Sequence, residues 1–361
     1  MNKHIFSGSK EKVISYLKNI KHNGKKENTV EALTGMDEAL KNCIEMSDKT
    51  DSFLALLGDK EIIFSEDKSS FVMFGKSGHS FITMGDPIGD ENSFNDSIHK
   101  FYSYCKSHRK DVVFYEIGKE YLSYYIDLGL SFLKIGEYAQ VDVENFTLEG
   151  SRIKNLRHTH TKIEKCGYKF EVVPVSEVPN ILDEIEEVSN EWLGDKVADE
   201  KGFSLGKFSK EYLLNFPIAV IKDGEKILAF GNIMATKNKK EIALDLMRYR
   251  NDAPSGIMDY IFVCVIKYAQ ENGYKKFNLG MAPLAGIEEK TASLWNKVER
   301  AVYYHGEHFY NFKGLRAFKD KFDPKWEPRY IAYSGPINLP SILKDVTLLI
   351  SGGLKGLITK K

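Results

Sequence analysis

The sequence has no net charge, with Lys and Arg totalling 51 and Asp and Glu totalling 51. No field over the whole molecule draws it to nucleic acid or to an anionic surface, so any such partner must meet a local patch. Long apolar runs are missing too. The nearest candidate, Ile257–Tyr268, is interrupted by Asp259 and Lys267, short of the roughly 18 residues of a spanning helix. The opening MNKHIFSGSKEK lacks the apolar stretch of a secretory leader. Cysteine is scarce, and Cys43, Cys105, Cys166 and Cys264 form no CxxC pair. Reduced, buried thiols in a cytoplasmic protein are therefore expected, not disulfides.

What is present is an ordinary globular composition. Of 361 residues, 42% are hydrophobic and 28% charged, and 12% are aromatic, enough for two domains and more than one core. Residues 1–50 read as a helical segment, with Ser9 ahead of Val13, Ile14 and Leu17 on one helix face. Strand patterns follow at Phe53–Leu57, Ile62–Phe64, Phe71–Phe74 and Ser80–Met84. Next come a turn at Gly85–Gly89, a helix over 93–108 and a strand over Asp111–Ile117. The charged stretch Arg152–Lys169 predicts a basic connecting helix ending at Gly167, with its RHTH run (Arg157–His160) solvated.

The second half repeats this order. Ile218–Ile221 and Ile227–Ile233 are strands joined by an Asp223-Gly224 turn. Glu241–Arg250 is a third strand, followed by a turn, a helix over Ile257–Asn272 and a strand at Lys276–Leu279. An antiparallel meander whose central strand feeds a helix through a turn is how N-acetyltransferase-type domains are built. The expectation is an α/β (α+β) fold of two tandem acetyltransferase-like domains, each a mostly antiparallel sheet flanked by helices. The first spans 51–150 and the second 171–335, with a connector at 151–170 and an amphipathic basic tail at 336–361. The turn Arg250–Gly256 holds a single glycine, which serves the pyrophosphate of coenzyme A poorly.

The stretch Leu244-Asp245-Leu246-Met247-Arg248-Tyr249-Arg250 carries the most suggestive chemistry. Strand alternation puts Asp245 and Arg248 on opposite faces, and a bulge would bring them into one cleft. There a carboxylate can take a proton from a hydroxyl and a guanidinium can hold phosphate. A surface strand of solvated charges is the plain alternative. Between His305 and Phe322, Lys313, Arg316, Lys319 and Lys321 interleave with Phe309, Tyr310, Phe312 and Phe318. That pattern suits a nucleic-acid backbone and a stacked terminal base; an amphipathic helix with core aromatics explains it equally. Eleven basic residues face five acidic ones between Arg300 and Lys361, the local patch that a neutral chain requires. The tail alternates Ile342, Leu343, Val346, Leu349 and Ile350 with lysines, fit to lie in an anionic bilayer interface or to dock on its own domain. His305 and His308 have no third partner at metal spacing, and no HExxH, GxSxG or Walker loop exists. No metal and no cofactor are expected.

Several motifs occur together. DLMRY (Asp245–Tyr249), FNLGMAPL (Phe277–Leu284), HGEHFYNFKGLRAFKDKF (His305–Phe322) and DPKWEPRY (Asp323–Tyr330) lie in one half. MGDPIG (Met84–Gly89), DLGL (Asp127–Leu130), KIGE (Lys134–Glu137), LEG (Leu148–Gly150) and KGFSLG (Lys201–Gly206) complete the set. In this order, over about 50–335, the sequence resembles the bacterial phosphatidylglycerol lysyltransferases, also called lysylphosphatidylglycerol synthases or multiple peptide resistance factors. The resemblance implies transfer of an aminoacyl group from charged tRNA, lysyl-tRNA above others, to a glycerol hydroxyl of phosphatidylglycerol. The product lowers membrane negative charge and favours resistance to cationic antimicrobial peptides.

It also implies catalytic roles for Asp245 and Arg248. Arg250, Ser255, Gly256, Met281, His305, Tyr310 and Asn311 are expected at the substrate, and Lys313, Arg316, Lys319 and Lys321 on the tRNA. The first domain, whose Gly85–Gly89 loop has no arginine pair, is expected to be a degenerate copy that shapes the lipid entrance or stiffens its partner. Typical members carry a large N-terminal transmembrane flippase. This chain is expected to be an excised catalytic domain or a stand-alone relative that moves no lipid, peripheral at the inner face of the cell membrane. A lysyl ammonium would want a carboxylate such as Glu288 or Glu289, and an alanyl group a small apolar pocket. Rival readings are a peptide or cell-wall precursor as acceptor, an acyl-coenzyme A transferase, and a silent tRNA- or membrane-binding module.

Overall fold

A computed structural model describes residues 30–194, 202–286, 312–335 and 338–351. Helix α1 (Val30–Met46) and a 3-10 segment (Thr50–Leu57) lead into β1 (Glu61–Phe64), β2 (Ser70–Ser77), β3 (Ser80–Met84) and the short β4 (Ile88–Gly89). Then come α2 (Phe94–Ser107), β5 (Asp111–Ile117), α3 (Leu122–Asp127) and the long β6 (Ser131–Asp142). The second half runs α4 (Lys154–Lys165), β7 (Lys169–Val173), α5 (Leu182–Gly194), α6 (Lys210–Leu213), β8 (Ile218–Asp223), β9 (Lys226–Ala235) and β10 (Glu241–Tyr249). It continues with α7 (Ile257–Glu271), β11 (Lys276–Pro283), α8 (Phe312–Asp320), β12 (Lys325–Tyr333) and α9 (Leu339–Ile350).

The strands form one sheet in the order β1-β2-β3-β5-β12-β6-β11-β10-β9-β8-β7, with β4 on β2. Among the described strands only β3 with β5 and β10 with β11 pair in parallel. Each of those pairs is bridged by a helix, α2 in one half and α7 in the other, because parallel neighbours need a long crossover. The expected fold class holds: a mixed α/β molecule with a mostly antiparallel sheet and flanking helices. The sheet continues without a break through both halves. Strand β12, from the end of the described chain, lies between β5 and β6 of the first half.

Four apolar clusters fill the space between sheet and helices. One packs α2 on β2, β3 and β5 through Phe74, Phe101 and Phe114, and another packs α4 and α7 through Leu156, Ile163, Phe262 and Val265. A third sets α5 on β8–β10 through Ile185, Val188 and Phe230. The fourth is common to both halves: Phe53 and Met73 meet Phe203, Tyr212, Phe216 and Met234, together with Ile342, Val346 and Ile350 of α9. Each such side chain contributes on the order of 1.5–3 kcal/mol by leaving water.

Four expectations need correction. Phe53–Leu57 is not a strand but part of the 3-10 segment, closed by Gly58 at φ +68°; a short apolar run buried all round carries no period to separate the two. Of the two readings of the tail, docking on the protein holds for its described part, 338–351, in place of the bilayer interface. Leu339, Ile342, Val346 and Ile350 are buried in the common core, and Asp345 accepts from His79 N (3.0 Å) and Ser80 Oγ (2.8 Å); residues 352–361 lie outside the described residues, as does the helix expected around Val13–Leu17. The connecting helix α4 buries Leu156, His160 and Ile163, so it is an integral part of the second-half core. Of the four thiols, Cys43, Cys105 and Cys264 are buried but Cys166 is exposed. Among the described residues no helix is long and apolar enough to cross a membrane.

Candidate functional site

Strand β10 is irregular where the chemistry was expected. Leu244 faces Ile233 of β9 but Met247 faces Gly231, so β10 carries one extra residue between them. The extra backbone N–H, at Leu246, is taken up by Oδ1 of the buried Asn232 at 2.8 Å. A bulge of this kind re-aims side chains, and it overrides the alternation that separates Asp245 from Arg248.

Asp245 Oδ1 accepts from the Gly206 N–H and Oδ2 from the Tyr212 hydroxyl, both at 2.8 Å. A Cβ on Gly206 would stand 1.9 Å from Oδ2, so only glycine lets the loop close on the carboxylate. Burial pushes the Asp245 carboxyl above its ordinary range; Gly206, Tyr212, Lys60 and Arg248 pull the other way without cancelling it. Arg248 is 7% exposed and lies over Trp192, its guanidinium carbon 3.8 Å from the ring centre. Such stacking holds the cation without hydrating it. Lys60, with 1% of its side chain exposed, donates to Asp59 Oδ1 (2.7 Å) and Leu54 O (3.3 Å). Burial lowers its pKa, against the pull of Asp59 and Asp245.

Other expected residues have different surroundings. Arg250 donates to Ile227 O (2.9 Å), Glu191 (3.1 Å) and Glu187 (3.3 Å), which ties α5 to the end of β10. Ser255 is exposed, and Gly256, at φ +91°, starts α7 with its open side against Thr159 of α4. The Met281 carbonyl accepts from Lys319 Nζ at 2.7 Å. Lys319 itself is 5% exposed and burial brings it down to about 7, so the expectation of a surface lysine gripping phosphate is corrected. Arg316 pairs with Glu137 (2.9 Å) and stacks on Trp326, and Lys321 pairs with both oxygens of Asp259 (2.9 Å). His305, Tyr310, Asn311, Glu288 and Glu289 lie outside the described residues, as does the side chain of Lys313.

A second polar centre, which the sequence reading missed, sits on the strands that join the halves. The Tyr138 hydroxyl is 2.9 Å from Asp51 Oδ2 and 2.7 Å from Glu116 Oε2. One phenol proton can serve only one of them at a time. Burial, first of all, raises Asp51 to about 6 and Glu116 to about 7. Glu116 takes φ +62° inside β5, a conformation that costs a non-glycine residue roughly 1–3 kcal/mol and clusters at functional sites. Arg329, 4% exposed, lies 4.0 Å from the Tyr138 ring centre. Beside it Asp86 accepts from Lys49 (2.8 Å), Gly118 N (3.0 Å) and Tyr125 (3.2 Å).

The segment 49–60 spans both centres. Lys49 and Asp51 enter the second, Lys60 lies by Asp245, and between them Thr50 donates to Glu241 of β10 through N (2.8 Å) and Oγ1 (2.6 Å). Of the residues around Asp245, Arg248 had a sequence signal within DLMRY and Gly206 within KGFSLG. Lys60, Tyr212 and Trp192 had none.

Residues 44–333 match the family described as phosphatidylglycerol lysyltransferase, C-terminal. A phosphatidylglycerol lysyltransferase of Bacillus subtilis (strain 168) is 41% identical over 308 residues, covering 84% of this chain and 36% of that protein. Its counterpart in Staphylococcus aureus (strain COL) is 33% identical over 301 residues, 83% of this chain and 36% of the other. The chain thus spans about a third of the length of the curated relatives it matches. Among solved structures, L-PGS from Bacillus licheniformis superimposes with a TM-score of 0.77 at 38% identity, covering 92% of this chain and 99% of that one. A C-terminal domain from Agrobacterium fabrum reaches 0.80 at 42% identity over 90% and 99%. On this likeness over nearly its whole described length, the chain belongs to the phosphatidylglycerol lysyltransferase C-terminal family.

Proposed function

We propose that this chain transfers an aminoacyl group, lysyl by the names of its relatives, from aminoacyl-tRNA to a glycerol hydroxyl of phosphatidylglycerol. The reading rests on one observation: a desolvated carboxylate, Asp245, held by two hydrogen bonds within the electrostatic reach of Arg248. Burial makes that carboxylate a stronger base than a solvated one. Asp245 takes the proton of the lipid hydroxyl as its oxygen attacks the ester carbonyl. A new lipid O–C bond forms, the bond to the tRNA ribose oxygen breaks, and the proton passes to that leaving oxygen. One ester replaces another, so the step requires positioning, proton transfer and charge stabilisation in place of an external energy source. Arg248 holds a phosphate of lipid or tRNA, its fork oriented by Trp192.

The site works at the inner face of the cell membrane, where both substrates meet. Aminoacylation there removes negative surface charge and so weakens the attraction of cationic antimicrobial peptides. The test is incubation of the protein with individually charged, radiolabelled tRNAs and phosphatidylglycerol vesicles, followed by lipid extraction. Label in the lipid from lysyl-tRNA is the expected result. Salt-sensitive tRNA binding without label in any lipid would overturn the proposal in favour of a binding module.

A further inference from the structure

We infer that the turn Gly202–Gly206 is a positioning clamp, through which the C-terminal helix α9 holds the Asp245 carboxylate in place. Its two ends are tied to different parts of the molecule. At one end the Gly202 N–H donates to Ile350 O, in the last turn of α9, at 3.2 Å. At the other the Gly206 N–H donates to Asp245 Oδ1 at 2.8 Å. Between them Ser204 N returns to Gly202 O at 2.8 Å, a tight turn that keeps the two ends close.

Phe203 fastens the middle. It is 4% exposed, in one core with Ile342, Val346 and Ile350 of α9, and Lys60 Nζ lies 5.6 Å from its ring centre. Its φ is +64°, a conformation that a bulky side chain adopts only where its surroundings enforce it. Helix α9 is fixed in turn on the first half. Asp345 is held by His79 N and Ser80 Oγ, and Gly78 and Gly75 leave room for Asp345 and Leu349 that a Cβ would take away. A path of packed and hydrogen-bonded groups thus runs from β2 and β3 through α9 and Phe203 to a carboxylate of the second half. The residues of this path are positioning residues; none is placed at a reacting atom.

The inference rests on the proposed role of Asp245, and its test keeps the two apart. The measurement is the titration of the Asp245 carboxyl by carbon NMR in the full chain, assigned with Asp245→Asn, beside the pH profile of lipid aminoacylation. Gly206→Ala removes the close N–H and is expected to raise the carboxyl pKa by about one unit. It is expected to lower kcat about 10²-fold with KM little changed. Phe203→Ala is expected to move the same pKa in the same direction by less. Phe101→Ala, at another buried phenylalanine, in the first-half core, serves as the control for lost packing. If Gly206→Ala leaves the pKa where it was, or Phe203→Ala moves it no further than Phe101→Ala does, the clamp is refuted. If the pKa moves as expected while Asp245→Asn remains fully active, the clamp stands and the catalytic reading falls.

Discussion

The two halves use one frame for different ends. In the first, β3 feeds the crossover helix as a regular strand, in unbroken register with β2 and β5. Its acid, Asp86, falls in the turn beyond and is held by Lys49, Gly118 and Tyr125. In the second, β10 bulges before it ends, and Asp245 projects from inside the strand onto two neutral donors. Asp86 has an ammonium as a direct partner, whereas the two direct donors to Asp245 are a phenol and an amide. One inserted residue separates a structural turn from the proposed site.

The sharpest test of that contrast exchanges the two acids for amides. Asp245→Asn is expected to lower lipid aminoacylation by about 10²–10⁴-fold with the fold intact by circular dichroism. Asp86→Asn should instead lower the unfolding midpoint and leave kcat within a few fold. Arg248→Lys keeps the charge but loses the planar fork and its stack on Trp192; a loss of about 10²-fold in kcat/KM is expected from steady-state assays. Tyr138→Phe should cost about 1–3 kcal/mol in denaturant unfolding, since it leaves two buried carboxyls without their shared hydroxyl.

The pH dependence of stability separates the centres further. Asp51 and Glu116 are raised from 3.8 to about 6 and from 4.5 to about 7, burial being the first cause. The folded state therefore binds these protons more tightly than the unfolded one. Their contribution is complete below about pH 4 and is lost as pH rises through 6 to 7. Glu116→Gln should flatten that fall in denaturant midpoints between about pH 5 and 7. The smallest effect is expected at Arg250. Its Ala variant should lose about 1 kcal/mol of stability with KM unchanged, because its guanidinium is held by Glu187 and Glu191.

Reading from residues worked best where a pattern repeats locally. The strands Ser80–Met84 and Asp111–Ile117 and the helix from Ile257 have the bounds expected, or differ by a residue, because alternation, a glycine turn and a long apolar face each speak for themselves. It failed at β6 and β12, the central pair. Lys134, Glu137 and Gln140 interrupt one, and Lys325, Glu327, Pro328 and Arg329 the other, as polar neighbours of the second centre require. Pro328 argues against a central strand, yet β5 pairs with β12 only from Tyr330 onward, so the ladder tolerates it.

By itself the sequence determined the fold class, the repeated strand–helix–strand order and the family, and it singled out the acid and arginine of DLMRY as candidates. Only the tertiary structure decided that β12 joins the first half, that a bulge turns Asp245 toward Gly206 and Tyr212, and that Lys319 is buried. The reason is range. Periodicity and turn chemistry act over a few residues, whereas Gly206 meets Asp245 across 39 positions and Thr50 meets Glu241 across 191. Contacts at that separation arise from chain closure and sheet order, which no local pattern encodes.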